Sequence, residues 1–345
     1  MFTIETNQKP TLWNCLIGPD LAAAVTAFGL TNPNAAKRVK KLNRTSEIFV
    51  ITDASDNRWV LRASALDTAS KLSLQARIFS ELEDVNVVRP RPLRNGVGYV
   101  YKSERAWICY AYAAGEEYAI DHAGAMDAIR EALNVLAAIQ RWTEGNPNSG
   151  QELPLLAVIP DRFAQILDDL LAYDGENAPS AAALDRIVGD RPALSAILSQ
   201  AKVANITPVS PTHCDLHHGN VIAGPEGPTI IDLEDICRDS VSVAAAHGIF
   251  KLARHAVYLG LMDAEASHRT LVRPAVEYGA QLGLLPKQPA AVMTLAAHRT
   301  ARDVANILRL ARHPKTAWFT YDLAKKTENF LEIAWYINQD ETARN

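Results

Sequence analysis

The chain contains no apolar run near the roughly 20 residues needed to span a bilayer, which argues against a membrane role. Its first ten residues are polar and lack the basic-then-apolar order of a signal peptide. Cysteine is scarce. Cys15, Cys109, Cys214 and Cys237 stand far apart with no C-x-x-C pair, so neither a disulfide framework nor a thiolate zinc site is expected. A reduced, cytoplasmic setting is the simplest expectation. Neither sign of charge dominates: 35 Lys and Arg against 39 Asp and Glu leave a formal −4. That balance gives no reason to expect nucleic acid or an anionic membrane as partner. No internal repeat or low-complexity tract is present.

What remains is an ordinary globular composition, 48% hydrophobic and 21% charged, in 345 residues. That length suits two lobes better than one core. The period of the apolar residues divides the chain. Residues 19–30 read as a short helix, followed by β-rich runs at 39–42, 47–52 and 58–63. Helical spacing returns over 68–82, with Leu72, Ala76, Phe79 and Leu82 on one face, before two more strands at 98–101 and 106–110. From residue 121 helices dominate, 126–142 and 160–172 among them, and 146–154 is a polar, exposed loop. Strand-like runs reappear only at 221–223 and 229–231, around the turn Gly224-Pro225-Glu226-Gly227. The expected fold class is α+β, with a small antiparallel-sheet lobe over 1–110 and a larger helical lobe over 111–345.

The stretch from Thr212 to Asp235 carries the chemistry: T-H-C-D-L-H-H-G-N-V-I, a turn, then T-I-I-D-L-E-D. Asp215 lies five residues before Asn220, and Asp232 ends an apolar strand after the turn. Phosphoryl transfer needs such a set: one carboxylate for the acceptor hydroxyl's proton, and an amide oxygen with a second carboxylate for magnesium. A hairpin brings the three together by pairing the Asp232 strand beside 221–223. An isolated D-x-x-x-x-N is more often only a turn. His213, His217 and His218 near Asp232 also leave a histidine-held catalytic metal open.

This stretch resembles the catalytic loop of the aminoglycoside phosphotransferase and choline kinase families, small-molecule kinases of protein-kinase-like fold. Their pattern H-G-D-L-H-x-G-N, then an apolar strand ending I-D-[FW]-E, is met by His213, Asp215, Leu216, His217, Gly219, Asn220, Ile231, Asp232 and Glu234. The resemblance implies Asp215 as catalytic base, Asn220 and Asp232 as magnesium ligands, and His213 as a buttress of the loop. It implies ATP as phosphate donor and a small-molecule alcohol as acceptor. Trp59-Val60-Leu61-Arg62 resembles the strand whose basic residue reaches the ATP phosphates. Trp107 to Gly115 resembles the hinge that bonds adenine through its backbone, which puts Tyr110 and Tyr112 at the nucleotide.

The chain also departs from the pattern. Gln75 stands where a glutamate usually pairs with the strand's basic residue, with Glu81 or Glu83 as substitutes. Asn43–Ser46, in place of the phosphate-covering loop, holds no glycine. Gln140, Val243 and Cys214 replace a histidine, an aspartate and a glycine, and Cys214 reads as a small buried filler. These changes keep an ATP-binding pseudokinase open as the alternative. Between Lys251 and Lys315, ten Lys and Arg face four Asp and Glu, which suits a carboxylate- or phosphate-bearing alcohol better than a polycationic drug. Solvated helix faces would give the same count, and Arg299 with Asp303 reads as a surface pair. The C-terminal Trp318, Phe319, Tyr321, Trp335 and Tyr336 read as core. The oligomeric state and the acceptor's identity are not legible.

Overall fold

The structure, a computed structural model, describes residues 2–5, 19–30, 35–39, 47–65, 69–91, 100–102, 105–117, 122–156, 163–175, 178–203, 209–232, 235–311 and 322–342. Asn43–Ser46, Glu234, Trp318, Phe319 and Tyr321 lie outside the described residues. Elements follow in the order β1 (Phe2–Glu5), α1 (Pro19–Ala27), β2 (Ala35–Val39), β3 (Glu47–Thr52), β4 (Arg58–Ala65) and α2 (Ala69–Glu81). Then come β5 (Val100–Lys102), β6 (Arg105–Ala111), β7 (Glu116–Glu117), α3 (His122–Gly145), α4 (Phe163–Leu171), α5 (Ala181–Gly189) and α6 (Arg191–Val203). The site region holds β8 (Val209–His213), a 3₁₀ turn at His218–Asn220, β9 (Val221–Gly224), β10 (Gly227–Ile230) and β11 (Ile236–Ser240). Helices α7 (Val241–Tyr258), α8 (Ala264–Ser267), α9 (Arg273–Gln281), α10 (Pro289–Ala311) and α11 (Leu323–Thr342) complete the chain.

Six antiparallel strands form the first sheet in the order β1-β2-β3-β4-β6-β5. Side chains alternate across it. Leu61 and Ala63 of β4, with Trp107 and Cys109 of β6, face one way and bury against Leu21, Ala24 and Val25 of α1 and Phe28 just after it. Val60 with Ile108 and Tyr110 face the other way, into the larger core that includes Leu74, Ile78 and Phe79 of α2. Arg62 shares the parity of Val60, so the pleat alone turns it away from α1. The apolar face expected of 68–82 is real: Leu72, Ala76, Phe79 and Leu82 are all buried.

In the helical part α3 packs on α7, and α7 and α11 both pack on α10. The larger hydrophobic cluster runs on through these helices to Ile337. Trp335 packs against it and Tyr336 lies within it, as expected of core. Three pairings were not anticipated: β1 on β2, β11 on β8, and the short β7 on β9. The strand pair β8–β11 also overturns the expectation about cysteine. Cys214 and Cys237 form a disulfide with Cα atoms 6.1 Å apart, whereas Cys109 is free and buried. Antiparallel pairing across 23 residues of chain makes this contact, which no local spacing signals. Among the described residues no helix is long and apolar enough to cross a membrane.

Candidate active site

The β9–β10 hairpin assembles the site. Val221 pairs with Ile230, and the next rung is the Ile231 N–H donating to the Asn220 carbonyl at 2.9 Å. That register carries Asp232 beside the 218–220 turn. The turn is closed by its own residues: the Asn220 N–H donates to the His217 carbonyl, and the Gly219 N–H to His217 Nδ1 at 3.0 Å. Asn220 is buried, and its Nδ2 donates to the Asp215 carbonyl at 2.7 Å, which commits the amide nitrogen and leaves the amide oxygen for another partner. Asp232 sits at φ 63°, a left-handed conformation that a non-glycine residue adopts only at a cost.

His213 is fully buried at the end of β8 and accepts from the Asp215 N–H through Nδ1 at 3.4 Å. Burial lowers its pKa, partly opposed by the charges of Asp232 and Asp215. Both acids therefore stand around one neutral imidazole. Asp215 keeps 41% of its side chain exposed, and His217 Nε2 lies 3.4 Å from its Oδ2. Burial works against its charge, but the His217 hydrogen bond, then the charges of His217, Arg299 and His247, hold its pKa well below the usual carboxylate range. His217 is thus in contact with the acid, closer than its position in the chain implied.

Arg62 crosses from the sheet to this group: its Nη1 donates to Asp232 Oδ1 at 2.8 Å. Gln75, fully buried, directs its Nε2 at the Ile236 carbonyl, 3.5 Å away. Glu81 receives the Trp142 indole N–H at 2.7 Å, and Glu83 is exposed, so neither substitute is turned to Arg62.

The profile of the APH phosphotransferase enzyme family matches residues 36–246. The chain belongs to that family. No curated protein matches it by sequence. Among solved structures it is similar in fold to spectinomycin phosphotransferase APH(9)-Ia, with ADP and spectinomycin bound, at 11% identity and TM-score 0.56 over 90% of this chain and 94% of that one. An aminoglycoside phosphotransferase of Alicyclobacillus acidocaldarius matches at 14% identity and TM-score 0.57 over 95% and 97%. The GDP complex of aminoglycoside 2′-phosphotransferase-IIIa matches at 14% identity and TM-score 0.54 over 95% and 99%. The expected protein-kinase-like fold and small-molecule kinase class are those of the family.

Two further expectations change in this phosphotransferase. The histidine-held metal finds no support, because among the described residues no three His, Cys, Asp or Glu side chains are arranged to hold a metal ion. His218 instead stacks flat on His255 of α7, ring centroids 3.7 Å apart. Arg299 and Asp303 are not a surface pair. Arg299 Nε donates to Asp303 at 3.1 Å and its Nη1 lies 3.7 Å from Asp239, with both ends largely buried. Arg302 grips Asp239 with two bonds of 3.0 and 2.7 Å, and Lys326 of α11 bonds Asp303. Sequence reasoning missed Asp239 altogether; its one signal was an acid just before the N-cap serine of α7.

The hinge expectation is partly redirected. The Tyr110 ring lies in the core, and the Tyr112 ring stacks under Arg58 at 3.7 Å. The N–H groups of Ala111 and Tyr112 donate to Arg89 and Arg58. Gly115, at φ 145°, passes so close to β9 that a Cβ there would meet the Ala223 carbonyl at 2.2 Å. Both rings are thus engaged within the protein.

Proposed function

We propose that the chain transfers the γ-phosphate of ATP, with magnesium, to a hydroxyl of a small molecule. The observation that carries the reading is Arg62 bonded to Asp232 beside Asp215 and Asn220, on the family's catalytic-loop sequence. Asp215 is the acceptor-side acid. A carboxylate held so firmly ionised orients the hydroxyl and takes its proton late, which suits the loose transition state of phosphoryl transfer. His217 positions that carboxylate.

The donor set fits magnesium. Asp232 supplies one carboxylate, and the Asn220 amide oxygen is left over once its nitrogen is bonded. Magnesium takes few protein oxygens and completes its shell with phosphates and water. When bound there it would neutralise charge on the phosphate oxygens. In this reading Arg62 meets the phosphates and a backbone carbonyl of the Tyr110–Tyr112 stretch meets the base, since the Ala111 and Tyr112 N–H groups are already bonded. ATP consumption over a library of alcohols, with the phosphorylated product identified by mass, tests the proposal. Binding of Mg-ATP without turnover of any alcohol would instead favour the pseudokinase reading.

A further inference from the structure

Helix α7 runs past the catalytic loop with His247, Lys251 and His255 spaced four residues apart, a spacing that puts all three on one face. His255 stacks on His218 of the loop, and His247 is buried, which pulls its pKa well below the usual imidazole value. Lys251 lies between them and within electrostatic reach of Asp215 and Asp303. It is partly buried, and among the described residues it makes no hydrogen bond or ion pair.

The neighbouring charges do not supply a partner. Asp239 is taken by Arg302 and Arg299, Asp303 by Arg299 and Lys326, and Asp322 by Lys325 at 3.9 Å. Five cations (Lys251, Arg299, Arg302, Lys325 and Lys326) thus meet three carboxylates besides Asp215. Burial, then Lys326 and Lys325, pull the Lys251 ammonium down to about 7. An amine kept in so unfavourable a place with no carboxylate bonded to it gains an anionic partner when the site fills.

We propose that the acceptor is an alcohol bearing a carboxylate or phosphate, and that Lys251 binds that anion beside Asp215. This rests on the phosphotransferase reading and gives it a substrate class. A cationic acceptor would meet Lys251, Lys325 and Lys326 with every nearby carboxylate except Asp215 already paired. An anionic one would satisfy Lys251 and relieve the surplus.

The test uses matched three-carbon alcohols on the full chain saturated with Mg-ADP: glycerate, glycerol 3-phosphate, glyceramide and 3-amino-1,2-propanediol. Binding is read by calorimetry, so it does not depend on turnover. A charge-assisted hydrogen bond predicts at least about tenfold tighter binding of an anionic member than of the amide. Lys251→Met should remove that preference, and Lys251→Arg should keep most of it. Glycerate against glycerol 3-phosphate tells which anion is preferred. Equal binding of anionic and neutral members, tighter binding of the amine, or a preference that survives in Lys251→Met would overturn the proposal. ATP consumption with any alcohol, measured alongside, tells whether the phosphotransferase reading itself stands.

Discussion

Arg62 and Asp232 are 170 residues apart in the chain and 2.8 Å apart in the fold. The contact joins the sheet to the β9–β10 hairpin and occupies the carboxylate proposed to hold magnesium. Their side chains are only 12% and 5% exposed, so the charges are screened little by solvent. Removing one partner from such a buried pair costs about 3 kcal/mol or more. Asp232→Ala should therefore lower stability in magnesium-free buffer and also remove the magnesium dependence of ATP binding. Chemical denaturation and ATP titration with and without magnesium measure the two effects. Full magnesium dependence in that variant would remove Asp232 from the site.

Arg302 and Asp239 form the interior pair of the helical lobe. Arg302→Leu leaves Asp239 with the Ser240 N–H and the more distant Arg299, and should cost about 3 kcal/mol. The double variant Arg302→Leu with Asp239→Leu should be more stable than the single one. A urea series on the wild type, the two single variants and the double variant decides it; a double variant as unstable as the sum of the singles would contradict the pairing.

Acceptor use should depend on pH in one direction. The Lys251 ammonium titrates near 7, and only its protonated form attracts an anion. The groups around it are Lys325 and Lys326 of α11, Asp303 of α10, Asp215 of the loop, and His247 and His255 on its own helix. As pH rises through about 7 the charge is lost, so kcat/KM for an anionic acceptor should fall on the alkaline side. Lys251→Arg should flatten that limb. An unchanged alkaline limb in Lys251→Arg would show that another group causes it.

The Cys214–Cys237 disulfide closes a loop that contains Asp215, Asn220 and Asp232. For a loop of this length, cross-linking stabilises by about 3 kcal/mol in the chain-entropy model. Reduction should lower the denaturation midpoint, and thiol titration of the denatured chain should rise by two on reduction. A thiol count unaffected by reductant would show the pair unbonded.

Much of this architecture is legible in sequence, and the reasons are local. Glu47–Thr52 emerges with the expected bounds because a β-branched run is flanked by polar residues in the sequence. The 221–231 hairpin follows from apolar residues on either side of Gly224–Gly227, where Gly227 takes φ 101°. What escaped reading depends on distant partners. Strands β8 and β11 carry Pro211, Ser210, Arg238 and Asp239 and are strands only because each pairs with the other. Arg299 and Asp303 have the spacing of a surface pair, and packing of α11 over α10 makes them interior. The disulfide needs that same β8–β11 register. The contact of His217 with Asp215 comes from the tight 218–220 turn, which composition does not reveal.

The most direct test of the account is the kinetics of Asp215→Asn. The substitution keeps the volume and part of the hydrogen bonding to His217 but removes the charge that aligns the acceptor hydroxyl. A positioned general base is worth about 10²–10⁴ in rate, so kcat should fall on the order of 10² or more while Mg-ATP affinity stays nearly constant. His217→Ala acts only through the position of that carboxylate and should lose less. Near-normal turnover in Asp215→Asn, or a loss equalled by His217→Ala, would contradict the assignment of Asp215.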